Sequence, residues 1–316
     1  MIDFRFHLIS IVGVFLALGI GILMGSLALG DNLVNQLKRD VQAVRETNEG
    51  LQEQVGELDG RLDGFQDFAA EVQAPLTDAV LQGERVVLFV FEGTEDELVD
   101  GVVDALEEAD AEVASMIELR DKLVLSGEAE RDQLALVLRS SNDDAAELRN
   151  EAATELAARA SVAAAPGQLT QEPGPEVEDP RLQSLLDDLS EAGFVSVDTT
   201  EDEPPVPEGA MFLVLGGHAD PSAYEPSRVA VTLGQGLAER NAPVMVAETS
   251  DSTWGLVPAI RSDGLTRDIV ATVDQGETVP GRIATVLGLD LVEEGTVEHY
   301  GVGPGAARVI PEIPPL

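Results

Sequence analysis

The sequence predicts an α/β protein with a mainly parallel sheet, carried behind a single N-terminal transmembrane helix and a parallel coiled coil. Three observations predict it. Residues 8–29 form an uncharged apolar run, a seven-residue apolar repeat begins at Val34, and from residue 86 onward short β-rich runs alternate with helical patterns.

The run LISIVGVFLALGIGILMGSLAL, residues 8–29, is long enough to cross about 30 Å of hydrocarbon as a helix. Small residues at Ser26 and Ala28 also suit signal-peptide cleavage, but a secretory apolar core runs only about 7 to 15 residues, so retention is expected. Residues 1–7 are then a short cytoplasmic N-terminus, and the long domain after the span is translocated to the extracytoplasmic side. Gly13, Ala17, Gly21 and Gly25 recur every fourth residue, a stripe that permits close contact with a second helix in the bilayer.

Over residues 31–75 the heptad register places Val34, Val41, Asn48, Val55, Leu62 and Ala69 at position a. Leu37, Val44, Leu51, Leu58, Phe65 and Val72 take position d. Branched residues at a with leucine at several d positions favour two parallel strands, and a lone Asn at a fixes the register. The expected partner is a second copy of the chain. One amphipathic helix packed on its own domain would also show apolar periodicity, but not a strict 3.5 repeat over more than five heptads. Asp40 at g can reach Arg45 at the partner's e position. Gly50, Gly56, Gly60 and Gly64 lie outside the seam and loosen the distal half, at about 1 kcal/mol each relative to Ala.

Residues 80–302 read as the α/β domain. The run VVLFVF at 86–91 is a buried strand, residues 97–110 a helix and 112–117 a second strand. Polar helices follow at 128–140 and 143–159, then a surface loop at 163–179 and a helix at 181–192. Strands at 194–197, 211–215 and 243–247 complete the pattern, with a loop at 198–208 and a helix at 226–240. Residues 303–316 form a Gly/Pro-rich tail whose end, PEIPPL, cannot be helical.

Composition excludes several functions. The 316 residues carry a net charge of −40, with no basic cluster to neutralise a row of phosphates, so nucleic acid is not expected as a partner. With 44% hydrophobic residues the chain can still bury a core. There is no cysteine, which removes disulfides, thiolate catalysis and cysteine metal sites together. No nucleophile elbow, phosphate-binding loop, dinucleotide fingerprint or H-E-x-x-H pair is present, so the chain is not expected to be an enzyme and no cofactor is evident. The strand ends offer Glu92, Gly216, Gly217, His218, Asp220, Glu248, Thr249 and Ser250 as a pocket.

The blocks MIDFRFHLISIVGVFLALGIGILMGS, GERVVLFVFEG, VDQGETVPGRIATVLGL and EHYGVGPGAARVIP, in that order around the heptads, resemble the actinobacterial copper transport protein MctB family. The resemblance implies a role in copper homeostasis or efflux and an envelope location. The sequence lacks the run of alternating strands that an outer-membrane barrel needs, and no pore is expected. Copper prefers thiolates and thioethers as copper(I), or imidazole and oxygen as copper(II). Of the three His and five Met, only His218 and His299 could face a crevice, which makes them weak metal candidates. The architecture alone suggests an alternative: a non-enzymatic dimeric scaffold or adaptor presenting its α/β head to unidentified envelope or division partners.

Overall fold

The computed structural model describes residues 4–165, 182–199 and 204–312. Two compact units divide the chain, residues 1–65 and 66–316. The predicted loop at 163–179 and the end of the tail fall largely outside the described residues.

Helix α1, Phe4–Thr77, accounts for all the described residues of the first unit. Within it Phe6–Gly25 has a mean hydropathy of 2.5 and no part of it is buried, so by length and composition it is a candidate membrane span. The heptad residues Leu37, Val41, Val44, Leu51, Val55, Leu58, Leu62 and Phe65 are exposed along the same helix.

The second unit is a mixed α/β domain. Its strands are β1 (Arg85–Phe91), β2 (Glu112–Leu119), β3 (Val195–Thr199), β4 (Met211–Gly216), β5 (Val244–Glu248), β6 (Ala271–Asp274) and β7 (His299–Tyr300). They form one seven-stranded sheet in the order β3-β2-β1-β4-β5-β6-β7. All pairs are parallel except β2 with β3. Strands covered on both faces read as unbroken apolar runs, and the central ones here do. Val87, Phe89 and Phe91 of β1 enter one core with Phe212 and Val214 of β4. Val86, Leu88 and Val90 enter the other with Met211, Leu213 and Leu215. This period-two division fixes the register, because a one-residue slip would exchange the two cores.

Helices α3 (Glu128–Leu138), α4 (Ala145–Ala164), α5 (Leu182–Glu191), α6 (Pro226–Ala238) and α7 (Leu256–Ser262) supply side chains to the first core. Helices α2 (Asp96–Glu108) and α8 (Val279–Glu293) supply the second. Asp144 opens α4 by accepting from the amides of Ala146 and Glu147, and Thr278 caps α8 through the amide of Gly281. A side chain at Gly101 of α2 would collide with the Arg282 guanidinium of α8, so the glycine is what lets this arginine pass between the helices.

Elements α7, β6, α8 and β7 extend the domain beyond those expected from sequence, and β2 runs to Leu119, two residues past the expected end at 117. β6 and β7 are only four and two residues long, so their periodicity carries little signal. Beyond β7 the chain turns back. Ala307 N donates to His299 O at 2.8 Å and Gly301 N to Arg308 O at 2.9 Å, so this part of the Gly/Pro-rich segment covers the free edge of β7.

Candidate functional site

In a doubly wound sheet, ligands collect where neighbouring strands send their connections to opposite sides, here between the carboxyl ends of β1 and β4. That crevice is closed by the chain itself. Glu95 N donates to Gly217 O at 3.1 Å, and Thr253 N to His218 O at 3.0 Å. The Trp254 indole lies beside Gly93 and donates Nε1 to Asp220 O at 2.9 Å. Glu92 is occupied as well, accepting the Asp121 amide and facing Arg120 at 3.4 Å. Three of the residues expected to line a pocket, Gly217, His218 and Asp220, thus serve to seal it, and Glu92 is tied to the segment after β2.

The open cleft, about 580 Å³, lies instead at the carboxyl ends of β5 and β6 and beside the loop after β7. Glu248, Thr249, Arg261, Asp274, Val302 and Gly303 are among its walls. Glu248 ends β5 with 3% of its surface exposed. Its carboxylate accepts from Ser252 Oγ at 2.6 Å and from the amides of Leu256 and Val257 at 3.0 and 2.8 Å, and so ties down the start of α7. Burial pushes this carboxyl above its usual value, while the Ser252 hydroxyl and the backbone amides pull against it.

Asp274 ends β6. It accepts from Arg261 Nη1 at 2.5 Å and from the amides of Val302 and Gly303 at 2.7 and 3.0 Å. Arg261 reaches further, donating Nε to Thr272 Oγ1 at 2.9 Å, Nη2 to Tyr300 O at 2.7 Å and Nη1 to Pro304 O at 3.3 Å. One guanidinium therefore joins α7, β6, β7 and the loop after it. Gly301 permits this with φ 121°, since a side chain there would overlap the Asp274 carboxylate. These charges satisfy one another and hold the loop after β7 in place. Thr249 Oγ1 is buried with no hydrogen-bond partner among the described residues. A second hollow, about 640 Å³ along Ile11, Val12, Phe15 and Ile20, is the grooved surface of the lone apolar helix.

The two candidate histidines do not meet. His218 follows β4 and His299 opens β7, and those strands stand three inter-strand steps apart, about 14 Å. Thr272 Oγ1 accepts from Arg261 Nε and shares a hydrogen bond of 2.9 Å with His299 Nδ1, whose direction is set by the imidazole tautomer. Burial holds the His299 imidazole below its usual value, and the Arg267 carbonyl is a further backbone partner. His218 Nδ1 accepts from Asp220 N at 2.8 Å, and its Nε2 has no partner among the described residues. The apolar-stripe residues Gly13, Gly21 and Gly25 have nothing within 4 Å of an added Cβ, and the side chain of Val34 falls outside the described residues.

The model of the family described as "Copper transport outer membrane protein, MctB" matches residues 1–311. The chain belongs to the MctB family. Members similar to it end to end include proteins named copper transporter MctB from Mycobacterium tuberculosis and Mycobacterium bovis. Each is 27% identical over 320 residues, covering 98% of this chain and 99% of the relative. The Mycobacterium leprae protein of the same name is 27% identical over 315 residues, with the same coverage.

Among the described residues of this MctB-family chain the potential copper donors lie apart from one another. Met211 and Met245 are fully buried in the second core, where Met245 packs beside Gly288 and Tyr300. Met24 and His7 lie on the exposed apolar stretch of α1. Among the described residues no three His, Cys, Asp or Glu side chains are placed to share a metal ion.

Proposed function

We propose that this MctB-family protein is a non-enzymatic component of copper homeostasis in the cell envelope. It is anchored by its N-terminal helix with the α/β domain outside the cytoplasm, and it works as a parallel homodimer. The end-to-end match to relatives named copper transporters carries the copper reading. The apolar helix Phe6–Gly25 supports the anchor, and the span Leu8 to Leu29 is retained in the mature protein on this reading. The exposed seam supports the dimer. Leu37, Val44 and Leu58 each leave 62% or more of their surface open in the single chain, a cost that a second copy in the same register removes.

With ligand groups this sparse, the domain acts on copper through other envelope proteins rather than as the carrier itself. The test is a deletion strain. Loss of the gene sensitises cells to copper, and the full chain restores resistance while a version lacking residues 8–29 does not. Unchanged copper tolerance together with a misshapen envelope at ordinary copper would replace this reading with the scaffold or adaptor alternative, which the exposed seam supports equally.

A further inference from the structure

The heptad register does not stop at Phe65. Ala69 falls at the next a position and Val72 at the next d, so the stripe that forms the proposed seam continues in sequence for another heptad. What covers the stripe changes at this point. Leu58, Leu62 and Phe65 are 62%, 55% and 53% exposed, whereas Ala69 is 4% exposed and Thr77, two turns on, is sealed. Between them Gln73 donates Nε2 to Glu108 Oε2 at 2.8 Å, a bond to the last residue of α2. Residues 69, 73 and 77 are spaced by four and share one face of the helix, and Val72, beside them, is half-buried.

One helical stripe accepts one cover. A partner helix seats its side chains only when the two axes come within about 8–10 Å, and here Ala69 and Thr77 are already covered, with Gln73 between them bonded to Glu108 of the α/β domain. We infer that the homodimer seam ends at Phe65, and that from Ala69 onward each chain's own domain takes the place of the partner helix. This rests on the dimer reading above. Two helices paired up to Phe65 then part before Ala69, and Gly60 and Gly64, off the seam in the preceding turns, soften the helix where they do so, at about 1 kcal/mol each relative to Ala.

The absence of native cysteine makes the test clean. Single variants Val55→Cys, Leu62→Cys, Ala69→Cys and Val72→Cys of the full chain, in membranes, are treated with a short bis-maleimide and resolved on denaturing gels. Val55→Cys and Leu62→Cys give covalent dimer about ten-fold above Ala69→Cys and Val72→Cys. A shielded thiol at 69 would also stay unlinked, so the half-buried position 72 is the decisive member. Dimer from Val72→Cys equal to that from Leu62→Cys overturns the inference and leaves the dimer standing. No dimer from Val55→Cys or Leu62→Cys overturns the dimer itself and the inference with it.

Discussion

Arg261→Met is the substitution with the clearest structural cost. The methionine fills much of the arginine's volume but removes four hydrogen bonds, those to Thr272 Oγ1, Asp274 Oδ2, Tyr300 O and Pro304 O. The side chains of Arg261 and Asp274 are 4% and 15% exposed, so water replaces the lost partner only from the cleft side. Removing one member of a buried, hydrogen-bonded ion pair costs about 3–5 kcal/mol. In a domain of this size each kcal/mol lowers the melting temperature by about 2–4 °C, and the expected loss is therefore about 10 °C. The chain has one tryptophan, Trp254, held in the α/β domain by its bond to Asp220 O, so its emission follows the unfolding of that domain alone. Thermal melts of wild type and variant in detergent, read at this tryptophan, decide the matter. A shift under about 2 °C would refute the claim that this guanidinium joins α7, β6, β7 and the loop beyond.

Three further outcomes are expected. Gly281→Ala places a Cβ against the backbone carbonyl of Gln275, which no side-chain rotation relieves, so this variant should lose about 3 kcal/mol or more in urea unfolding while Gly264→Ala, with open space around it, loses under 1. Because burial lowers the His299 pKa, the folded protein binds fewer protons than the unfolded chain between that lowered value and about 6.5. Its contribution is full above this window and lost as the pH falls through it; His299→Gln should flatten that part of the stability-against-pH curve, and an unchanged slope would be inconsistent with a buried neutral imidazole. In the seam, Val55→Asp should dissociate the purified chain by sedimentation equilibrium, since it sets two carboxylates face to face, whereas Asn48→Val should remain associated with a higher melting temperature. Wild type sedimenting as a monomer at tens of micromolar would count against the seam, as would dimeric Val55→Asp.

Much of the fold was legible locally. β1, β4 and β5 are unbroken apolar runs covered on both faces, and a run of this kind points to a parallel sheet from sequence alone. The start of helix α8 is marked in the sequence by the capping Thr278 followed by Pro280 in the first turn. Its nearly continuous apolar stretch at 283–289 has no polar face to give it helical period, because both sides of the helix are packed. The cleft was half legible. Glu248 and Thr249 could be placed at a strand end, but Arg261 and Asp274 are thirteen residues apart on elements whose pairing depends on how α7 lies over β6.

By itself the sequence determined whatever rests on local periodicity: an apolar helix of membrane length, a heptad stripe, and strands and helices in alternation. Order along a helix or strand is set by spacing alone, and spacing is written in the chain. Only the tertiary structure decided that the switch-point crevice is closed by the Trp254 loop and that the open cleft lies two strands further along. It also decided that His218 and His299 stand on strands too far apart to share an ion, and that the stripe at Ala69 is already covered. Each of these depends on which distant segments the folded core brings side by side, and residues far apart in the chain carry no mark of that adjacency.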